Sequence, residues 1–230
     1  MKHHTKTLVV LATLLFAIAP LSAGVVVNLD LNGPGTGYTG QGAYADIGNN
    51  FWNQRTFSTG TGAFSKLNMT ASDGTTATTI DVTSVGLGGH DRGATYTNAL
   101  LRDGHVHAKA VNINGLDDSK TYDLVFYSTF DNFATEFTIG GVTKACKGTP
   151  TSAPYQENFV EGQTYVLFEG ISTDGSGGID VTVGNAYTHD STSASNFTFF
   201  SGIQIAEVPE PATMSLLALG GIAMLKRRKR

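Results

Sequence analysis

The sequence predicts an all-β fold, an antiparallel β-sandwich in residues 24–207, and three observations support it. About ten short segments rich in Val, Ile, Phe, Tyr and Thr follow one another, several with alternating apolar and polar residues. Gly, Ser, Thr, Asn and Asp dominate the connections between them, and these residues favour turns. No window keeps the 3.6-residue apolar period of a helix. Short strands at this spacing are typical of a sandwich.

The first half of this region contains four predicted strands. They are 25–31, which is an apolar opening run, 63–70, 76–85 and 105–113. In the last of these the alternation changes phase at Val111, which predicts a bulge or a twist. Residues 97–102 are the best helical candidate, one or two turns within a loop.

The second half continues the pattern. Gly140-Gly141 separates two short apolar runs and predicts a two-residue hairpin. The predicted strands are 122–127, 136–139, 142–145, 164–168, 179–183 and 197–205.

Residues 1–23 have the three parts of a secretory signal peptide. Lys2 and Lys6 form a basic start, residues 8–18 are mostly apolar, and small residues precede a cut between Ala23 and Gly24. The alternative is an uncleaved anchor. Cleavage is favoured because the apolar run is shorter than the ~20 residues of a spanning helix.

Residues 208–230 form a second targeting segment. Pro209-Glu210-Pro211 excludes regular helix, and an apolar stretch follows through Leu225. At 1.5 Å per residue this stretch reaches about 22 Å, so it predicts a short transmembrane helix. The chain then ends in five basic residues that act as a stop-transfer signal and stay in the cytoplasm: Lys226, Arg227, Arg228, Lys229 and Arg230.

This tail resembles the PEP-CTERM sorting signal, with Pro209-Glu210-Pro211 as its motif, then the membrane segment and the basic cluster. The resemblance implies a substrate of an exosortase, a membrane protease-transpeptidase that removes the tail near the motif. It also implies a Gram-negative bacterium that makes extracellular polysaccharide. The protein would then reach the cell surface or the extracellular matrix after transient insertion in the inner membrane.

The charge of the central region excludes nucleic acid as a partner. Two of the 15 basic residues lie in the signal peptide and five at the C-terminal end, which leaves 8 basic against 18 acidic residues in 24–207. Phosphate recognition needs Lys and Arg. The single cysteine, Cys146, is interpreted as a small buried residue of a strand, since no histidine motif accompanies it.

Several segments of the central region resemble galactose-binding-like, jelly-roll domains. These segments are 27–31, 48–53, 115–127 and 202–205. The resemblance implies a jelly-roll form of the sandwich. It also leaves open a structural Ca²⁺, which domains of this kind often hold, without assigning its ligands.

Trp52 and Asn53 are the tentative sugar-binding residues. Sugar sites stack an aromatic ring on the pyranose and bond its hydroxyls with Asn, Asp or Gln, and Phe51 to Gln54 supply those types. The alternative, which is favoured, is that Phe51 and Trp52 plug one end of the sandwich.

Two patterns suggest metal sites and are outweighed by simpler explanations. His105 and His107 lie two apart on a predicted strand, so both could face one metal with Asp103 or His90 as a third ligand. The alternative is the polar face of a sandwich. Asp174 and Asp180 flank a glycine-rich segment but lack the spacing of a calcium loop, and an ordinary hairpin explains them.

No catalytic motif is visible, so a non-enzymatic function is predicted. The leading hypothesis is an exported structural or adhesive component of the surface or polysaccharide matrix, whose partners are the export machinery, the exosortase and polysaccharide. A carbohydrate-binding module is the alternative. An extracellular polysaccharide-degrading enzyme with scattered catalytic residues is the second alternative.

Overall fold

The structure is a computed structural model, and it describes residues 24–32, 37–44, 50–56, 62–91, 97–130, 133–147, 158–186 and 197–208. Within these ranges the chain forms strands and one short helix. In chain order they are β1 (Val26–Asp30), β2 (Asn53–Gln54), β3 (Ala63–Lys66), β4 (Asp81–Val85), β5 (Gly88–Asp91), α1 (Ala99–Arg102), β6 (Asp103–Val106), β7 (Ala110–Asn114), β8 (Thr121–Tyr127), β9 (Ala134–Ile139), β10 (Val142–Cys146), β11 (Tyr165–Ser172), β12 (Ile179–Ala186), β13 (Phe199–Phe200) and β14 (Gly202–Glu207).

The strands form two large sheets and one small sheet. Sheet A has the order β11-β8-β14-β1-β2, and sheet B has the order β10-β9-β12-β7-β4-β3. The small sheet has the order β13-β6-β5. The short β1–β2 pairing is parallel, and the other pairings between these strands are antiparallel. The predicted all-β, antiparallel fold is confirmed.

The hydrophobic core lies between sheets A and B. Leu124 and Phe126 of β8 point into it, and Phe126 stacks on Phe137 of β9 with ring centroids 4.8 Å apart. Burial of one such ring stabilises the fold by about 2–3 kcal/mol. Cys146 belongs to the same core, where burial raises the pKa of its thiol, as its interpretation as a small buried residue requires.

The predicted glycine hairpin is confirmed. Ile139 of β9 and Val142 of β10 form the pair next to the turn. Gly140 and Gly141 between them have φ of +55° and +84°. Two successive positive φ angles are what a type I′ turn requires, and glycine adopts them without steric cost.

The predicted strand 105–113 was wrong as one element. β6 ends at Val106, His107 has a positive φ of +51°, and β7 begins at Ala110. The phase change therefore marks a passage from the small sheet to sheet B. The predicted strand 197–205 divides in the same way at Ser201, between β13 of the small sheet and β14 of sheet A.

The sandwich has two distinct ends. Turns join β7 to β8 and β11 to β12 at the end where β1 starts and β14 stops, and we call this the tail end because the domain's last residues lie there. The opposite end, where β1, β4 and β8 stop and β14 starts, carries α1 and the long connections, and we call it the loop end.

Candidate functional site at the loop end

A second apolar cluster covers the outer face of sheet A at the loop end. Its buried members are Trp52, Leu100, Leu101, Val125 and Tyr127. Partly buried side chains from the segment 37–44, from residue 159 and from β11 pack against them. This face of the sheet is therefore covered by chain segments rather than by the other sheet.

Trp52 lies inside this cluster and is only 4% exposed. Its indole nitrogen donates to the carbonyl of Gly40 at 2.9 Å, and the ring of Tyr38 meets it edge-on with centroids 5.2 Å apart. A sugar could stack on Trp52 only after Tyr38 moved. Of these two rings, Tyr38 is therefore the one that is partly exposed to solvent.

Asn53 is also buried, and its side-chain amide joins two parts of the backbone. The nitrogen donates to the carbonyls of Asn28 at 2.9 Å and Thr70 at 2.7 Å, and the oxygen accepts from the Thr70 amide at 2.9 Å. These bonds use the groups that a sugar hydroxyl would need. A sugar-binding role for Trp52 and Asn53 stays a prediction.

A buried hydrogen-bond network fixes the segment 37–44 to sheet A. The Tyr127 hydroxyl donates to the Gln204 side-chain oxygen and accepts from the Ala43 amide at 2.6 Å. The same Gln204 oxygen accepts from the Tyr44 amide at 3.0 Å, and the Gln204 nitrogen donates to Asn28 Oδ1 at 2.9 Å. Burial raises the pKa of Tyr127, so its hydroxyl keeps its proton as a donor.

Asp30, at the end of β1, is the charged group behind this segment. It is fully buried, and its Oδ2 accepts the Tyr38 amide at 2.6 Å. The side-chain nitrogen of Asn32, with its amide oriented toward the carboxylate, donates to Asp30 Oδ1 at 2.9 Å. The carboxylate therefore sets the position of the residue that covers Trp52.

The surroundings of Asp30 disfavour its charge. Desolvation by burial and the charge of Asp103 raise its pKa, the Tyr38 amide and the Arg102 guanidinium lower it, and the net value is about 7. Asp103 is itself buried and pairs with Arg102, whose Nε lies 3.3 Å from Asp103 Oδ1. The carboxylates of Asp30 and Asp103 and the guanidinium of Arg102 thus lie close together at the loop end.

An open cleft of about 510 Å³ lies between the segment 37–40 and the start of α1. Tyr38 and Thr39 line one wall, and Thr97 and Asn98 line the other. The Asn98 side chain accepts from the Leu100 amide at 3.1 Å and caps the helix. The described lining offers hydroxyls, an amide and an aromatic ring, which are groups that sugar sites use.

The structure gives the two histidines of the predicted metal pair different surroundings. His105 Nε2 donates to the Gly62 carbonyl at 2.8 Å, which places the hydrogen on that nitrogen, and Nδ1 accepts from Ser84 Oγ at 3.0 Å. Burial lowers the pKa of His105, so the ring is neutral. His107 lies past the end of β6, with its ring against Phe197 at 5.1 Å.

The glycine-rich segment at Asp174 is a turn stabilised by that carboxylate. Asp174 Oδ1 accepts from the amides of Ser176 at 2.8 Å and Gly178 at 3.0 Å, and these bonds lower the pKa of Asp174. Asp180 lies on β12 with its side chain exposed. Among the described residues, no three His, Cys, Asp or Glu side chains are placed to hold a metal ion together.

Most of the predicted targeting residues lie outside the described ranges. These are Ala23 of the signal cleavage site, the motif Pro209-Glu210-Pro211, the apolar stretch and the basic residues 226–230. Gly24 is described and precedes β1. In the ranges that the structure covers, no helix is long and apolar enough to cross a membrane.

Comparison with known protein families identifies the tail. Residues 207–230 match the PEP-CTERM protein-sorting motif, so the predicted resemblance is confirmed. The motif indicates an exported protein that is processed by an exosortase and is transiently anchored in the membrane beforehand. No curated protein sequence matches the chain.

Several solved structures match the chain at low similarity. A calcium-binding mutant of Bacteroides uniformis β-glucuronidase 2 is 11% identical with a TM-score of 0.39, over 80% of this chain and 18% of that chain. The same enzyme bound covalently to cyclophellitol-6-carboxylate aziridine is 12% identical, with the same coverage and TM-score. A Bacillus subtilis protein is 11% identical over 80% of this chain and 40% of that one, with a TM-score of 0.29. The chain thus spans less than a fifth of the β-glucuronidase.

Replacing Trp52 by alanine is expected to lower the free energy of unfolding by about 3–5 kcal/mol, because a buried indole loses its packing. The neighbouring Phe51 is 40% exposed and is the matched control, with an expected loss of about 1 kcal/mol for Phe51→Ala. Urea-induced unfolding of residues 24–208 measures both. Equal small losses would contradict the burial of Trp52.

The stability difference between wild type and Asp30→Asn is expected to depend on pH. Because its pKa is about 7 in the fold and 3.8 in the reference state, Asp30 binds more protons when folded. The contribution of Asp30 to the free energy of unfolding, up to roughly 4 kcal/mol, is complete below about pH 4 and is lost as the pH rises through 7.

Urea-induced unfolding of wild type and Asp30→Asn from pH 5 to 8 gives this difference and cancels the opposing effect of His105. The exposed Asp180 provides the control Asp180→Asn, which should show no such trend. A difference between wild type and Asp30→Asn that stayed constant with pH would refute the buried titration.

Proposed function

We propose that this protein is a structural or adhesive component of the cell surface or the extracellular polysaccharide matrix, delivered there by exosortase processing. One observation carries the proposal. The first and last strands, β1 and β14, pair with each other, and the domain's chain ends therefore lie together at the tail end. The loop end, with its cleft and long connections, lies at the opposite end of the sandwich, and in this proposal it meets the matrix.

Three titratable groups of the loop end are buried and already paired, and this supports the proposed non-enzymatic role. Asp30, Asp103 and His105 are each at most 1% exposed. Asp103 is neutralised by Arg102, and both ring nitrogens of His105 have partners. Catalysis would need such groups within hydrogen-bond reach of a substrate in an open site.

The net charge of the domain restricts its partners. With 18 acidic and 8 basic residues, it is suited to remain soluble among other anionic polymers and to avoid nucleic acid. The partners in this proposal are the export machinery, the exosortase and, in the matrix, neutral surfaces of polysaccharide.

Mass spectrometry of the protein from its native host, with the exosortase present and deleted, tests this proposal. We expect a form that begins near Gly24 and ends near Pro209, found outside the cell only when the exosortase is present. An uncut tail that persists in the inner membrane in both strains would contradict it and indicate a permanent anchor.

The cleft supports a second candidate, a carbohydrate-binding module. Tyr38 would stack on a sugar ring, while Thr39, Thr97 and Asn98 would bond its hydroxyls. Binding to a glycan array is expected to weaken roughly two- to tenfold in Tyr38→Ala, since one stacking ring contributes about 0.5–1.5 kcal/mol.

The control for this experiment is Phe51→Ala, which removes an exposed ring that does not line the cleft. Absence of binding to every glycan would remove this candidate. Turnover of a bound polysaccharide would instead favour the remaining alternative, a polysaccharide-degrading enzyme.

A further inference from the structure

The sorting motif and the last strand of the sandwich share residues. β14 ends at Glu207, whereas the PEP-CTERM match begins at that same residue. Glu207 and Val208 therefore belong both to the folded domain and to the segment that the processing enzyme recognises. Two different structures compete for these residues.

Both shared residues are bonded to the rest of the sandwich. The Glu207 amide donates to the carbonyl of Val25 at 2.8 Å, and the Val208 amide donates to the carbonyl of Thr121 at 2.9 Å. The Glu207 carboxylate lies 3.7 Å from the Lys120 ammonium. We call these three contacts the exit clamp.

Very little chain separates the exit clamp from the membrane segment. Only Pro209 and Glu210 lie between Val208 and the start of the apolar stretch at Pro211. At about 3.3 Å per residue this allows at most about 10 Å from Val208 to Pro211. A protease binds its substrate as an extended, accessible chain on both sides of the bond that it cuts, so a cut near Pro209 draws on residues that the sandwich holds.

We propose that the exosortase acts on this protein only after the exit clamp opens and β14 releases Glu207 and Val208. This inference rests on the proposed processing. When opening and closing are fast, the rate of processing is proportional to the open fraction. The fold of the domain thereby limits how fast its own tail is removed.

Loosening the exit clamp without changing the motif should accelerate processing. Lys120→Ala removes the ion pair and leaves 207–230 intact, and a pulse-chase experiment in the host should show removal of the tail about two- to fivefold faster. Lys147→Ala is the matched control, because Lys147 is an exposed lysine at the loop end. It should leave the rate unchanged.

A spacer tests the same inference from the other direction. Four residues, Gly-Ser-Gly-Ser, inserted between Ala206 and Glu207 take over the last positions of β14 and free the whole motif. Processing should then be roughly thirtyfold faster, as expected for the loss of two backbone hydrogen bonds of about 1 kcal/mol each from the motif. Adding Lys120→Ala to the spacer variant should change nothing further.

An unchanged or slower rate in the spacer variant would overturn the inference, because the enzyme would then act on the clamped chain or require the domain's end. Failure of the proposed processing itself looks different. In that case the wild-type tail would persist in the strain with exosortase just as it does in the deletion strain.

Discussion

The pairing of the first strand with the last determines most of what this molecule can do. β1 lies between β14 and β2 in sheet A, and five residue pairs from Val26↔Ala206 to Asp30↔Gly202 hold β1 and β14 together. Because this pairing is antiparallel, it brings the domain's two chain ends to one end of the sandwich. It also places Asp30 at the opposite end, where it receives the Tyr38 amide. The tail end and the cleft are thus separated by the length of one strand.

Asp30 carries an energetic conflict that the loop end depends on. Burying a carboxylate is costly unless hydrogen bonds compensate it, and here the compensation comes from the Tyr38 amide and the Asn32 side chain. The bond to Tyr38 also holds the segment that covers Trp52 and lines the cleft. An apolar residue at position 30 would avoid the desolvation and would leave the Tyr38 amide without its acceptor. Burial of the Asp30 carboxylate therefore costs desolvation energy, and the same carboxylate fixes the position of Tyr38 in the cleft wall.

Local patterns predicted the elements whose structure is decided locally. The Gly140-Gly141 hairpin and the alternation in β12 are decided by neighbouring residues, and both were found. The division at His107 and Ser201 was not, because the pairs Phe199↔Val106 and Phe200↔His105 join residues about 90 positions apart. The strand predicted at 25–31 as an apolar run also carries Asn28 and Asp30, and both are buried. The sequence around β1 cannot show this, since their cover comes from the later segment 37–44.

The candidate site was difficult to predict for the same reason. The polar neighbours of Trp52 resemble those of an exposed sugar-binding ring, yet its cover comes from Tyr38 and its cluster includes Leu100. Asn53 looked available for a ligand and instead bonds Asn28 and Thr70. The cleft walls 37–40 and 97–99 are about 60 residues apart, and no spacing in the sequence connects them.

The two ends of the domain meet opposite physical demands. At the loop end, contacts between segments distant in the sequence fix the walls of the cleft. At the tail end, the chain must be folded up to Val208 and must still yield a substrate to a membrane enzyme. Each backbone hydrogen bond there contributes only about 1 kcal/mol, and the partly exposed ion pair Lys120–Glu207 contributes less. Contacts of this size close the end of β14 in most molecules and leave a minority open. The exit clamp can therefore hold the end of β14 in the sheet without preventing removal of the tail.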